Sequence, residues 1–150
     1  ALFIQGNAVK LPFDNSSVDM VILFDVIEHV KIGTEEILLN EIRRVLKKEG
    51  KLVLSTPNNH FLANLLDPAW FFGHRHYTPK DIDRLLKKFG FKPIKLEVKG
   101  SVWSLIYLFW FYMSKWILRI DMPRNKWLEE MDDQNFAKGN LYTIFAVTQK

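Results

Sequence analysis

Residues 6–29 read GNAVKLPFDNSSVDMVILFDVIEH. A polar Gly6-Asn7-Ala8 turn leads through Leu11-Pro12-Phe13 and a short polar loop into Val18–Phe24, a nearly unbroken apolar run. Such a run, bounded by turn residues, suits a parallel strand covered on both faces. It stops at Asp25, with Glu28 and His29 just beyond. Residues 2–5 form a second short apolar run and are expected to be a strand ending before Asn7. Ligands of open α/β sheets sit outside the carboxyl ends of the strands. Asn7 and Asp25 are therefore expected on one rim, facing a common cleft that could hold both ends of an elongated polar cofactor.

Downstream, strand and helix signals alternate. Thr34 is a good N-cap residue, with Glu35 and Glu36 near the positive end of the helix dipole. Ile37, Leu38, Ile42, Val45 and Leu46 recur at three- and four-residue spacing and mark one apolar stripe. Lys47 and Lys48 suit the last turn, and Gly50 can take the left-handed conformation that stops a helix. Residues 52–55 read as the next strand. Residues 60–78 are a long connection rich in aromatics and histidine. Thr78 then caps a helix with Pro79 in its first turn, a stripe of Ile82, Leu85, Leu86 and Phe89, and Gly90 as its stop. Residues 93–98 and 141–148 alternate apolar with polar and read as strands. Strand–helix–strand alternation is the mark of a parallel α/β sheet.

The 150 residues are 48% hydrophobic and 25% charged, enough for one core. With no cysteine there are no disulfides and no thiolate metal sites, which fits a reducing, cytoplasmic setting. The net charge of +4 is spread over solvated helix faces such as Arg43, Arg44, Lys47 and Lys48. No basic stripe interleaved with exposed aromatics is visible, so no nucleic-acid partner is expected.

Residues 101–120 stand apart. From Trp103 to Met113 nearly every side chain is large and apolar, and a helix apolar all round must be buried, paired or lipid-facing. A true span needs about 20 apolar residues, and Ser101, Ser104, Ser114, Lys115 and Arg119 interrupt this one early. A pocket lid or core helix, a peripheral membrane contact or dimer face, and a span all stay open. Aromatics sit well at headgroup depth, and Lys115 and Arg119 could reach anionic lipid.

The motifs together resemble class I S-adenosylmethionine-dependent methyltransferases of the small-molecule branch, with a likeness to ubiquinone-pathway methyltransferases. The resemblance runs from Gly6-Asn7-Ala8 and Leu11-Pro12-Phe13 through Asp25-Val26-Ile27-Glu28-His29 and Glu41-Ile42-Arg43-Arg44. It continues through residues 50–58, His76-Tyr77-Thr78-Pro79 and Phe89-Gly90-Phe91. It implies a Rossmann-like sheet of strand order 3-2-1-4-5-7-6, with S-adenosylmethionine as cofactor. The family's glycine-rich loop and the acidic residue ending its second strand have no counterpart in these residues. The chain is accordingly read as residues 1–150 of a partial methyltransferase domain, the carboxyl-terminal portion lacking the first two strands, with an aromatic-rich helical insertion at about 101–120. Residues 1–7 are expected to lack native pairing, and the segment alone to bind the cofactor weakly.

The resemblance assigns cofactor contacts to Asn7, Ala8, Phe24 and Asp25. For Asn7 the plainer reading is a turn residue, and for Asp25 a polar strand cap. Catalytic candidates are His29, Glu28, His74 and His76; imidazole titrates near neutrality and can take a proton from an attacking hydroxyl. For His76 the plainer reading is a hydrogen-bonded anchor of the following helix. The spacing Asp25-x-x-Glu28-His29 also resembles an arrangement that holds a divalent metal in the ubiquinone-pathway enzymes, but no metal is assigned here. The expected function is methyl transfer to a small or lipid-like acceptor. The alternative is a non-enzymatic membrane- or partner-binding module working through residues 101–120.

Overall fold

The computed structural model describes residues 3–120 and 125–150. Among the described residues four strands form one mixed sheet: β1 (Val18–Phe24), β2 (Leu46–Pro57), β3 (Lys92–Lys99) and β4 (Thr143–Gln149), in the order β1-β2-β4-β3. β1 and β2 are parallel, while β4 runs antiparallel to both β2 and β3. That order is the 4-5-7-6 segment of the order given above, with the last strand slotted between its two predecessors. The register aligns Leu23, Leu54, Ala146 and Leu96 across the sheet. This row faces α1 (Glu35–Val45) and α3 (Pro79–Lys88), whose Leu38, Leu39, Ile42, Ile82 and Leu86 complete the core.

The opposite face differs from expectation. Met20, Ile22 and Phe24 are 47, 59 and 52% exposed, so β1 is covered on one face and not on both. Of the strand expected at residues 2–5, Leu2 lies outside the described residues and residues 3–5 form no strand; an isolated bridge joins Asn7 to Lys10, and the first ladder begins at Val18. A short apolar run cannot hold a strand without a neighbour to share its backbone hydrogen bonds.

Two helix ends also differ. Thr34 precedes α1, but its hydroxyl donates to the Lys31 carbonyl and caps nothing. α1 ends at Val45, and β2 begins at once, pulling Lys47 and Lys48 into a strand; Glu49, at φ 65°, takes the left-handed conformation assigned above to Gly50. Ile37 is half exposed and Leu39 replaces it in the buried stripe. α3 behaves as read: Thr78 and Asp81 form a reciprocal capping box and Gly90 turns at φ 77°.

The Glu41–Arg44 motif has a structural use. Glu41 accepts from the Leu11 amide and pairs with Arg44, and the Arg44 guanidinium holds the Leu11 and Phe13 carbonyls and Asn15 Oδ1. This pins the loop leading into β1 onto α1. The Arg44 hydrogen bonds, more than any burial, pull the Glu41 carboxyl down to about 2.

The long connection after β2 holds α2 (Phe61–Leu66) and a 3₁₀ turn at Pro68–Phe72. α4 (Val102–Tyr112) continues into a π-helical turn at Met113–Leu118, and α5 (Lys126–Phe136), which the sequence reading left blank, packs beside α4. Among the described residues no helix is long and apolar enough to cross a membrane.

Candidate active site

The carboxyl ends of β1 and β2 carry the site. β1 ends at Phe24, and Asp25 follows at φ 50°, an uncommon conformation for a residue with a Cβ. Its amide donates to the Ser55 carbonyl and its carboxylate accepts from Ser55 Oγ. The turn at Ile27–His29 then buries Glu28 and leaves His29 exposed. Glu28 Oε2 accepts from Thr56 Oγ1 at 3.0 Å, whereas Oε1 is buried with no hydrogen-bond partner. Burial raises the Glu28 carboxyl above its usual range.

The second wall comes from residues 67–77. Asp67 is buried and caps the 3₁₀ turn through Ala69 N at 2.9 Å. Its other oxygen meets His74 Nδ1 at 3.4 Å and His76 Nε2 at 3.0 Å. Burial would raise Asp67, but the hydrogen bonds from both imidazoles and from Ala69 outweigh it and hold the carboxyl well below the usual range. The same bond from Asp67 raises His74. His76 is fully engaged, its Nδ1 lying 2.7 Å from Asn64 Oδ1. His74 is not: its Nε2 is buried without a partner. The His74 ring stacks on His29, centroids 4.8 Å apart.

Arg75 locks the two walls together. Its guanidinium donates to the carbonyls of Ile27, Glu28 and Val30 and pairs with Glu35. Sequence reading missed Asp67 and Arg75. Arg75 stands between two histidines already singled out, and that adjacency was the available signal; Asp67 had none, since only the fold brings it back to residues 74–76.

Glu28, His29 and His74 thus meet at one cavity of about 540 Å³, which Phe72, Tyr112 and Trp116 close from the aromatic side. His76 stands one layer behind. Asn7, Ala8, Phe24 and Asp25 do not line this cavity. Asn7 is exposed in a tight turn, its Oδ1 accepting from Val9 N, and Ala8 packs beside the core. Phe24 is half exposed on the open sheet face and meets Phe145 edge-on. Asp25 lies close enough to act electrostatically on both Glu28 and His74.

The fold and these motifs define a class I methyltransferase scaffold. The sequence profile of the methyltransferase-domain family matches residues 1–54. A Mycolicibacterium smegmatis protein classed with S-adenosylmethionine-dependent methyltransferases is 34% identical over 89 residues, which are 59% of this chain and 34% of that protein. The chain therefore spans about a third of the length of the curated relatives it matches. Among solved structures, the [4+2]-cyclase SpnF superposes with a TM-score of 0.65 at 16% identity, over 97% of this chain and 55% of its own. A Burkholderia thailandensis 1,6-didemethyltoxoflavin-N1-methyltransferase, solved with S-adenosylhomocysteine, does so with a TM-score of 0.60 at 13% identity, over 99% and 50%. Residues 1–54 thus carry the sequence pattern of a methyltransferase domain, and the fold is that of the class I methyltransferases. The curated relatives are named as S-adenosylmethionine-dependent; of the residues assigned to that group by resemblance, Phe24 offers an exposed ring, Asp25 a carboxylate held by Ser55, and Asn7 a side-chain amide.

Proposed function

We propose that this chain supplies the acceptor side of an S-adenosylmethionine-dependent methyl transfer to a small, lipid-like molecule carrying a hydroxyl or amine. One observation carries the reading. The cavity has a polar floor of Glu28, His29 and His74, and its apolar wall of Phe72, Tyr112 and Trp116 runs out into a field of exposed aromatics. An acceptor with a polar head and an apolar body fits both halves.

When bound, S-adenosylmethionine supplies an electrophilic methyl group for in-line displacement. The work left to the protein is positioning, exclusion of water and removal of one proton. His74 is placed for the last of these. With Nδ1–H donated to Asp67, its Nε2 carries the free lone pair on a ring that lines the cavity, and the buried carboxylate stabilises the imidazolium that forms. Asp67 is the positioning residue. Asp25 and Phe24 stand toward the cofactor, at the carboxyl end of β1.

The reading extends to peripheral contact with a membrane through α4 and the π-helical turn. No acidic residue occurs in 101–120, Lys115 and Arg119 are exposed, and Ile117 and Leu118 are 65 and 51% exposed. The same surface favours the second reading, a binding module without catalysis.

The test is methyl transfer from labelled S-adenosylmethionine to long-chain phenols by the intact protein. His74→Ala is expected to lower kcat by about 100-fold or more, in line with loss of a general base. His74→Gln should retain acceptor binding. Vesicle sedimentation with no methyl transfer to any apolar phenol, alcohol or amine would leave the binding-module reading in its place.

A further inference from the structure

We infer that His76 is held as a buried imidazolium between Asn64 and Asp67, and that this fixed cation keeps its neighbour His74 in the free-base form. The bearing on catalysis rests on the reading of His74 as the base, whereas the charge assignment stands on geometry. Both ring nitrogens of His76 face acceptors: Nδ1 lies 2.7 Å from Asn64 Oδ1, and Nε2 lies 3.0 Å from Asp67 Oδ2. The Asn64 amide is oriented by its other end, where Nδ2 donates to Asn59 Oδ1 at 2.7 Å. A neutral imidazole has one N–H donor and one acceptor, so a ring that meets two acceptors carries both protons.

The surroundings suit that charge. The His76 side chain is 0% exposed and that of Asp67 2%. A buried cation is retained only when a carboxylate pairs with it and its remaining proton is also bonded, and both conditions are met here. Arg75, which separates the two histidines in sequence, turns away to Glu35 and to the carbonyls of Ile27, Glu28 and Val30.

The consequence falls on His74. It shares Asp67 Oδ2 with His76, and the two ring centroids are 5.6 Å apart. The hydrogen bond to Asp67 raises His74, burial opposes it, and Asp67, Glu28 and Asp25 add to the rise through their charge. His29 stacks on the ring, and Lys31 and Tyr112 line the same cavity. Tyr112 on α4 and Tyr142 just before β4 are phenols that burial keeps neutral. With His76 charged, Asp67 is already balanced at rest, so it orients His74 without drawing a second proton onto it. The unit of Asp67, His74 and His76 is then uncharged until His74 takes a proton at Nε2. His76 does not line the cavity, so its part is that of a positioning residue acting through Asp67.

Nitrogen NMR of the labelled 150-residue chain reads these protons directly. The chain has only four histidines, so each signal can be assigned from its own single substitution. At pH 7 His76 should show two protonated nitrogens, and His74 an unprotonated Nε2. His76→Gln removes the cation and keeps a donor toward Asp67, while Asn64→Leu removes the acceptor that demands the second proton. Each should raise the proton affinity of His74 by about tenfold or more, the effect of losing a like charge a few ångströms away. Asn64→Asp keeps an acceptor and should leave His76 doubly protonated. Should His76→Gln fail to fold, Asn64→Leu, at a half-buried position, gives the same readout. A purely structural role for His76 would leave the titration of His74 unmoved in a folded variant. That result, an unprotonated nitrogen on wild-type His76, or a doubly protonated wild-type His74 would each overturn the inference. None of these measurements needs turnover: the expected spectra without methyl transfer would remove the base role of His74 and uphold the charge assignment.

Discussion

α3 and α4 are helices of nearly equal length with opposite logic. α3 places Ile82 and Leu86 in the core and gives its other sides to Lys80, Asp83, Arg84 and Lys87. α4 has no charged residue between Val102 and Tyr112; it buries Ser104 and Leu105 while Val102, Ile106, Phe109 and Trp110 remain exposed. A one-sided stripe is spent on folding. An apolar surface left over after folding is available for something else, and the candidate active site lies at the seam between the two regions.

The sharpest way to break this contrast is to cut into the scaffold side. Leu86 is fully buried against the sheet, so Leu86→Ala should cost about 2–5 kcal/mol through lost transfer energy and the cavity left behind. Urea denaturation monitored by circular dichroism reads this directly. A loss below about 1 kcal/mol would mean that α3 is not the scaffold element its packing implies.

The seam gives a smaller effect of opposite sign. Burial raises Glu28, so the folded state prefers the neutral acid. A buried acid whose folded pKa lies above its ordinary value of 4.5 destabilises the fold increasingly as pH climbs from that value through the raised one. At neutral pH, Glu28→Gln should therefore stabilise by about 1–3 kcal/mol, and the advantage should vanish near pH 4. Melting midpoints across pH test it. A residue that weakens its own fold yet sits at the cavity floor is what a functional role would retain. A flat difference between the two proteins across pH would remove that argument.

The same contrast explains what could be read in advance. Val18–Phe24 was legible to the residue, and the other three strands were placed with looser bounds, β2 beginning at Leu46 where 52 was expected, because periodicity reflects which face is buried. The capping box at Thr78 was legible because it is local chemistry. The ends of α1 were not. Whether Gly50 or Glu49 makes the turn depends on the early pairing of Leu46 with Val18, which is a tertiary fact. The exposed face of β1 was missed for a related reason, since an apolar residue reads the same whether or not anything covers it. In the site, Glu28, His29 and His74 were singled out separately by residue type. Their meeting, and the part of Asp67, depend on a loop returning across the sheet. The cofactor residues Asn7, Ala8, Phe24 and Asp25 rest on resemblance still, and the cavity the fold provides lies beside them.

The smallest effect on stability discriminates best between the two regions. Ile117 is 65% exposed in the π-helical turn, so Ile117→Ser should change unfolding free energy by no more than about 0.5 kcal/mol. If the aromatic region meets lipid, the same substitution removes apolar surface that becomes buried on binding, worth about 1.5–3 kcal/mol for a fully buried side chain. Sedimentation with anionic vesicles should then weaken by roughly tenfold. A covered Ile117 would give the reverse pattern: an intact protein destabilised by the substitution and indifferent to vesicles. The two outcomes separate because exposure in the isolated chain fixes the first quantity, whereas only the identity of the covering phase sets the second.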